Sequence, residues 1–264
     1  MRKYRLQSIF NSQKIMKSIL ASLSFFTRLP FWKLANLESK HYASVVHYWT
    51  LSSVITSGVM VLSFFIFKEI LPMKLALILS LGSRVLVTGA LHEDGFADFF
   101  DGFGAGRDKD RVLSIMKDSH IGAYGVLALI FNYIILIETY SLLDVTKIFV
   151  LMIMADASSK FVSSFITYLL PYARDKEGSK SGVIYSSVDY KGLIVSVLFI
   201  SILIYLFFSY AVIAAFLVIT IFFLVYVWFL KKRIGGYTGD CCGASYVFME
   251  LIFCIIYLVF NTSV

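Results

Sequence analysis

Apolar residues in this chain fall into long blocks, at about 45–67, 73–91, 121–143, 147–170, 192–209, 211–230 and 244–262, separated by polar stretches. Each block is near the roughly 20 residues that a helix needs to cross a bilayer core. The pattern therefore predicts seven transmembrane helices. The run 192–230 would overshoot the membrane as one helix, so a tight turn is expected near Ser209-Tyr210. Upstream, Ile15–Phe26 is apolar on one side and broken by Ser and Lys. It is too short and polar to span, no small-residue cleavage site follows it, and it reads as an interfacial helix ending at SFFTRLP (24–30). There is no repeat of 20–50 residues, low-complexity tract or Pro-rich linker. The expectation is an all-α, polytopic integral membrane helical bundle, with 1–264 forming a single domain.

Composition agrees. The chain is 59% hydrophobic with 25 Phe and 16 Tyr in 264 residues, outside the range of a soluble domain. Its three cysteines, Cys241, Cys242 and Cys254, have no spaced ligand pattern, which argues against a disulfide framework and a zinc site. The net charge of +7 would suggest nucleic acid in a soluble protein. Here topology and an anionic membrane face account for it, and no nucleic-acid partner is expected. With the N-terminus cytoplasmic, the pieces 1–44, 92–120, 171–191 and 231–243 carry 8, 4, 4 and 3 Lys/Arg. The opposite side has only Lys68, Lys74 and Lys147. This asymmetry predicts that the polar loops face the cytoplasm from a bacterial or archaeal cytoplasmic membrane, with the C-terminus on the other side.

Against that background, the stretch 91–125, LHEDGFADFFDGFGAGRDKDRVLSIMKDSHIGAYG, stands apart, with seven of the chain's 17 acidic residues. Asp94, Asp98 and Asp101 recur at i, i+4 and i+7, one face of a helix. Like charges that close repel unless a cation joins them. Mg²⁺ characteristically bridges one or two carboxylates to a substrate phosphate, which makes these three the candidate metal ligands. Gly95 and Gly102, each following an Asp, are expected to leave room for a bulky group. GFGAGRD (102–108) offers flexible backbone and an Arg able to grip phosphate, without the GK[ST] ending of a P-loop. RDKDRVLSIMKDSHIG then reads as an amphipathic helix closed by Lys117, Asp118, Ser119 and His120. Asp118 could serve as a further metal ligand or a general base; a lone His120 reads more readily as structural.

LHEDGFADFFDG followed by GRDKDRVLSIMKDSHIGAYG resembles the adenosylcobinamide-GDP ribazoletransferase family, also called cobalamin (5'-phosphate) synthase. FFTRLP (25–30), PYAR (171–174), GGYTGDCCGA (235–244) and the downstream Glu250 extend the resemblance over nearly the whole chain, in order. The chain departs from the family pattern at Glu93, where Leu is usual, and in DKEGSKSG after PYAR. The resemblance implies a Mg²⁺-dependent membrane transferase that joins adenosylcobinamide-GDP to α-ribazole or its 5'-phosphate and releases GMP. On that reading Asp94, Asp98 and Asp101 hold the metal, and Asp118 takes the acceptor's proton, with Asp240 next in line. Arg107, Asp108, Lys117, Ser119, Arg174, Thr238 and Glu250 contact substrate. Expected partners are these small molecules, the lipid bilayer, and either other cobalamin-pathway enzymes or further copies of the chain.

Charges inside the spans need partners or a cavity, since each costs about 2.5–3.5 kcal/mol at the bilayer centre. Arg84, Glu138, Asp156, Lys160 and Glu250 are the cases, and Asp156 and Lys160 can neutralise each other at i, i+4. GGYTGD (235–240) offers backbone N–H groups to an anion. Two other classes fit less well. Asp98-x-x-Asp101-Gly102 partly matches the opening of the CDP-alcohol phosphotransferase signature, but Gly106 upsets its Ala-Arg spacing. A cation or solute transporter would keep its acids near mid-membrane.

Overall fold

The computed structural model describes residues 2–174 and 189–262, with side chains described from Gln13 onward. The loop sequence DKEGSKSG (175–182) lies outside the described residues. In order come α1 (Arg2–Phe26), the short α2 (Ser39–Tyr42), a 3₁₀ stretch Val45–Ser52 that runs into α3 (Ser53–Phe67), α4 (Met73–Thr88), α5 (Leu91–Ala105) and α6 (Lys109–Lys117). Then follow α7 (Ala123–Ser141), α8 (Val145–Ser164), α9 (Ile166–Leu169), α10 (Tyr190–Leu206), α11 (Tyr210–Ile234) and α12 (Gly239–Thr262). Among the described residues there is no β-strand; one isolated bridge joins Tyr172 to Tyr237.

Every predicted apolar block is helical. Val45–Phe67, Ala123–Ser141, Val145–Leu169, Tyr210–Ile234 and Gly239–Thr262 are long and apolar enough to cross a bilayer. The chain is an integral membrane protein. Tyr190–Leu206 is a shorter apolar helix, and α4 qualifies only together with α5. The turn in the run 192–230 falls where steric length demanded it: α10 stops at Leu206, and Ser209 caps α11 by accepting the Val212 N–H at 3.2 Å. The N-terminal helix is longer than predicted, and its last turns are packed. Ala21 and Phe26 are buried, and Ser22 Oγ donates to the Val45 carbonyl at 2.9 Å.

Between α4 and α5 the axis turns by 92°. Gly89 (φ 69°) caps α4 in the left-handed region, and Ala90 follows it there (φ 58°). For Ala that conformation costs of order 1–2 kcal/mol, so the surrounding packing must impose it. A Cβ at Gly89 would sit 2.3 Å from Arg28 Nε, and the Arg28 backbone N–H donates to the Val87 carbonyl at 2.7 Å. The segment TRLP is thus clamped over the bend.

The spans' charges are paired inside the bundle. Arg84 forks onto Glu250, with Nη2–Oε2 at 2.9 Å and Nη1 on Oε1, both side chains almost fully buried. Lys160 lies 2.9 Å from Asp156, as the i, i+4 spacing predicted. Asp156 also accepts from Thr56 at 2.5 Å and from Tyr246 at 2.7 Å, and both cations lie near the Tyr246 ring. Glu138 is different: it meets Lys74 at 2.6 Å with both side chains more than half exposed.

Candidate active site

The site is built on the crossing of α5 and α12. A Cβ at Gly95 would lie 3.0 Å from the Asp240 carbonyl, and one at Gly243 would lie 3.1 Å from that of His92. Small residues let two backbones approach this closely. Gly95 therefore seats α12, where open space for a bulky group was expected. Gly102 is likewise filled, with its missing side chain's place taken by Met116 of α6. GFGA, read as flexible backbone, is the last turn of α5, and Gly106 packs against Val112.

Above this crossing opens a cavity of about 270 Å³ whose wall includes Asp94, Arg174, Asp240, His92, Trp49 and Tyr172. Arg174 reaches it because the segment after α9 is pinned to the α11–α12 turn. Ala173 N–H donates to the Tyr237 carbonyl and Tyr237 N–H to the Pro171 carbonyl, both at 2.9 Å. Gly236 permits that contact, since a Cβ there would fall 2.3 Å from the Pro171 oxygen. So the Tyr237 N–H is committed to backbone, whereas the sequence suggested it for an anion.

Arg174 Nη2 donates to Asp240 Oδ2 at 3.2 Å, while its Nε is buried without a partner. His92 Nε2 is buried and unpartnered as well. Its ring lies 5.2 Å from Trp49, which stacks on Phe26 at 4.8 Å and 12°. Buried donors and acceptors are normally satisfied, so three bare nitrogens in one wall, Arg174 Nε, His92 Nε2 and Trp49 Nε1, point to a place for ligand oxygens. The sequence reading missed His92 and the aromatic wall. The available signal was the clustering of Phe25, Phe26 and Trp49 near the polar ends of their segments.

The three aspartates of α5 have separate surroundings. Asp94 is exposed to the cavity, while Asp98 and Asp101 are buried. Asp101 accepts the backbone N–H of Gly122 at 2.7 Å and of Gly125 at 2.9 Å, capping α7 from outside. Among the described residues, no group of three His, Cys, Asp or Glu stands close enough to hold a metal by itself. Mg²⁺ held by one or two carboxylates with substrate phosphate and water needs less; of the three, Asp94 faces the cavity, and Asp98, one turn along α5, is buried outside its wall.

The remaining predicted residues are dispersed. Arg107, Asp108, Lys117, Asp118 and Ser119 are exposed around α6, outside the cavity wall. Asp108 caps α6 through the Arg111 N–H at 2.9 Å. Asp118 Oδ1 lies 2.7 Å from His120 Nδ1, and this hydrogen bond, with the His120 backbone N–H, holds its carboxyl below the usual range. Thr238 is fully buried and caps α12, accepting from Cys241 N–H at 3.2 Å and reaching Asp240 at 3.3 Å. Glu250 lies in the interior ion pair with Arg84.

These features define a class: an all-helical integral membrane protein with a charged, aromatic-walled cavity at one end of the bundle. Within it, the chain belongs to the cobalamin-5-phosphate synthase family, which it matches over residues 18–258. The resemblance drawn from its acidic signature is borne out. A relative from Clostridium novyi (strain NT), named adenosylcobinamide-GDP ribazoletransferase, is 30% identical over 93% of this chain and 98% of its own. One of the same name from Vibrio parahaemolyticus is 32% identical over 94% of both chains. Another from Listeria monocytogenes serovar 1/2a is 31% identical over 92% of this chain and 98% of its own. No solved structure matches the chain.

Proposed function

We propose that the chain is a Mg²⁺-dependent transferase that joins adenosylcobinamide-GDP to α-ribazole, or its 5'-phosphate, giving adenosylcobalamin or its phosphate and GMP. The relatives' names supply the substrates. The observation that carries the reading is the buried, unpartnered Arg174 Nε beside Asp240 and Asp94 in one cavity wall. A guanidinium held through Nη2 by a carboxylate and the Leu113 carbonyl, with its Nε–H unpaired, is suited to phosphate oxygens. Phe26, Trp49, Tyr172 and His92 offer flat surfaces for the aromatic base of the acceptor.

The chemistry is an in-line displacement at the cobinamide-linked phosphorus. The ribose hydroxyl oxygen of the acceptor forms the new P–O bond, the bond to GMP breaks, and the hydroxyl proton passes to a carboxylate. Our candidate for that role is Asp240, in the cavity wall, with Asp118, exposed beside α6 and outside that wall, the alternative. Arg174 steadies the pyrophosphate; Arg107 and Lys117, exposed around α6, are assigned to the outer phosphate of the approaching nucleotide. Asp94 and Asp98 would hold Mg²⁺, which when bound neutralises pyrophosphate charge and the departing GMP. Positioning and charge neutralisation carry such a transfer without a covalent enzyme intermediate.

The distribution of Lys and Arg supports a cytoplasmic placement of the cavity and of residues 1–44. The deciding experiment incubates purified full-length protein with adenosylcobinamide-GDP, α-ribazole and Mg²⁺, and measures GMP and corrinoid product. GMP equal to product, dependent on acceptor and abolished by EDTA, is expected. No product beside an active relative overturns the reading. Near-normal Mg²⁺-dependent activity in folded Asp98→Asn would remove Asp98 from the metal site.

A further inference from the structure

A second cavity lies against α5, between α3, α4 and α7, with a volume of about 870 Å³. Phe67, Leu81, Leu86, Leu129 and Ile137 make its wall almost wholly apolar. It opens sideways from the bundle, since Leu86 is 76% exposed, and a Cβ at Gly82 would meet nothing within 4 Å. In a membrane protein such a lateral opening faces hydrocarbon.

One end of this groove is polar. Glu93 is 7% exposed, and its Oε1 accepts from the Tyr133 hydroxyl at 3.1 Å. Its Oε2 is buried with no partner. A bare carboxyl oxygen against an apolar wall is costly until a donor reaches it. Arg28 lies over Gly89, the neighbour of the lining residue Ala90, so a cation stands near the same end.

We infer that this groove binds a bilayer phospholipid with a primary ammonium headgroup, its acyl chain along α3, α4 and α7, its ammonium donating to Glu93 and its phosphate turned toward Arg28. An apolar slot with a buried acceptor in its wall and a guanidinium just outside it offers a group to each part of that lipid: chain, ammonium and phosphate. A trimethylated headgroup has no N–H to donate to Glu93, and a glycerol headgroup brings no positive charge to it. The site is independent of the reaction proposed above, although Glu93 adjoins Asp94 on α5.

The test places the full chain in phosphatidylglycerol nanodiscs with trace chain-spin-labelled phosphatidylethanolamine, phosphatidylcholine or phosphatidylglycerol, and reads the motionally restricted fraction by electron paramagnetic resonance. Phosphatidylethanolamine should be retained about tenfold over phosphatidylcholine, the worth of one charge-assisted hydrogen bond. Glu93→Leu should abolish that preference, with helicity and unfolding midpoint checking its fold. Gly82→Leu, which fills the groove and favours the helix, should release all three lipids. Equal retention of the three by wild type, a preference for phosphatidylglycerol, a preference surviving Glu93→Leu, or undiminished phosphatidylethanolamine in folded Gly82→Leu each overturns the inference.

Discussion

Two charged regions share α12, one at Asp240 and one at Glu250, roughly 15 Å apart along the helix. They behave oppositely. Around Glu250 the charges close on one another: Arg84 forks onto the carboxylate, and Asp156 is held by Lys160, Thr56 and Tyr246. Around Asp240 the same kinds of group are left with capacity, in the bare Arg174 Nε and His92 Nε2. Charge in a membrane interior is tolerated when it is saturated. Charge that stays unsaturated at a cavity marks where something else is meant to bind. His92 joins the two regions, its ring 4.7 Å from Tyr246 and itself part of the cavity wall.

That contrast can be broken first at its closed end. Glu250→Gln leaves the Arg84 guanidinium buried without its counter-charge, and should cost about 3–5 kcal/mol. Chemical unfolding in micelles checks this, and the double variant Arg84→Met/Glu250→Leu should recover most of the loss. At the open end, Asp94→Asn should lower turnover by about 100-fold or more while the unfolding midpoint stays put, because Asp94 faces the cavity. A large stability loss in that variant would erase the distinction between the regions.

Smaller effects sharpen it. Arg174→Gln should reduce kcat/KM for adenosylcobinamide-GDP by about 10- to 100-fold, the worth of a hydrogen bond to a charged group. Asp118→Asn should leave turnover near wild type. If instead it stops turnover while Asp240→Asn does not, the proton belongs to Asp118. Because its folded-state pKa lies below the ordinary value, the Asp118–His120 contact is in place at neutral pH. It is lost as pH falls through the folded-state pKa. Protection of the amides of 118–122, relative to their intrinsic exchange, should therefore fall on acidification, and Asp118→Asn should remove that pH-dependent change.

Much of the fold was legible because span length and the Asp156–Lys160 pair are local properties, read from runs and spacing. Arg84–Glu250 was legible only as a demand, since spacing cannot name a partner 166 residues away. The acidic signature drew attention to the right helix but not to its division of labour. Asp101 caps α7 and Gly95 seats α12, and both facts depend on neighbours that no local pattern specifies. The bend at Gly89-Ala90 escaped as well, because a left-handed Ala is imposed by packing. Glu93 stood out in sequence only as a departure from the family's usual Leu; its surroundings, Tyr133 and the apolar groove, come from distant parts of the chain.

The close crossing of α5 and α12 also sets a timetable. Asp94 leaves the ribosome nearly 150 residues before Asp240, an interval of about 7–30 s at ordinary rates of synthesis. Throughout it the nascent chain carries the aspartates of α5 but neither the floor of the cavity nor the carboxylate that fixes Arg174. On the proposed reading, a chain cut short before α12 would have nowhere to hold an activated nucleotide substrate. Competence arrives in one step, when the last helix enters the membrane.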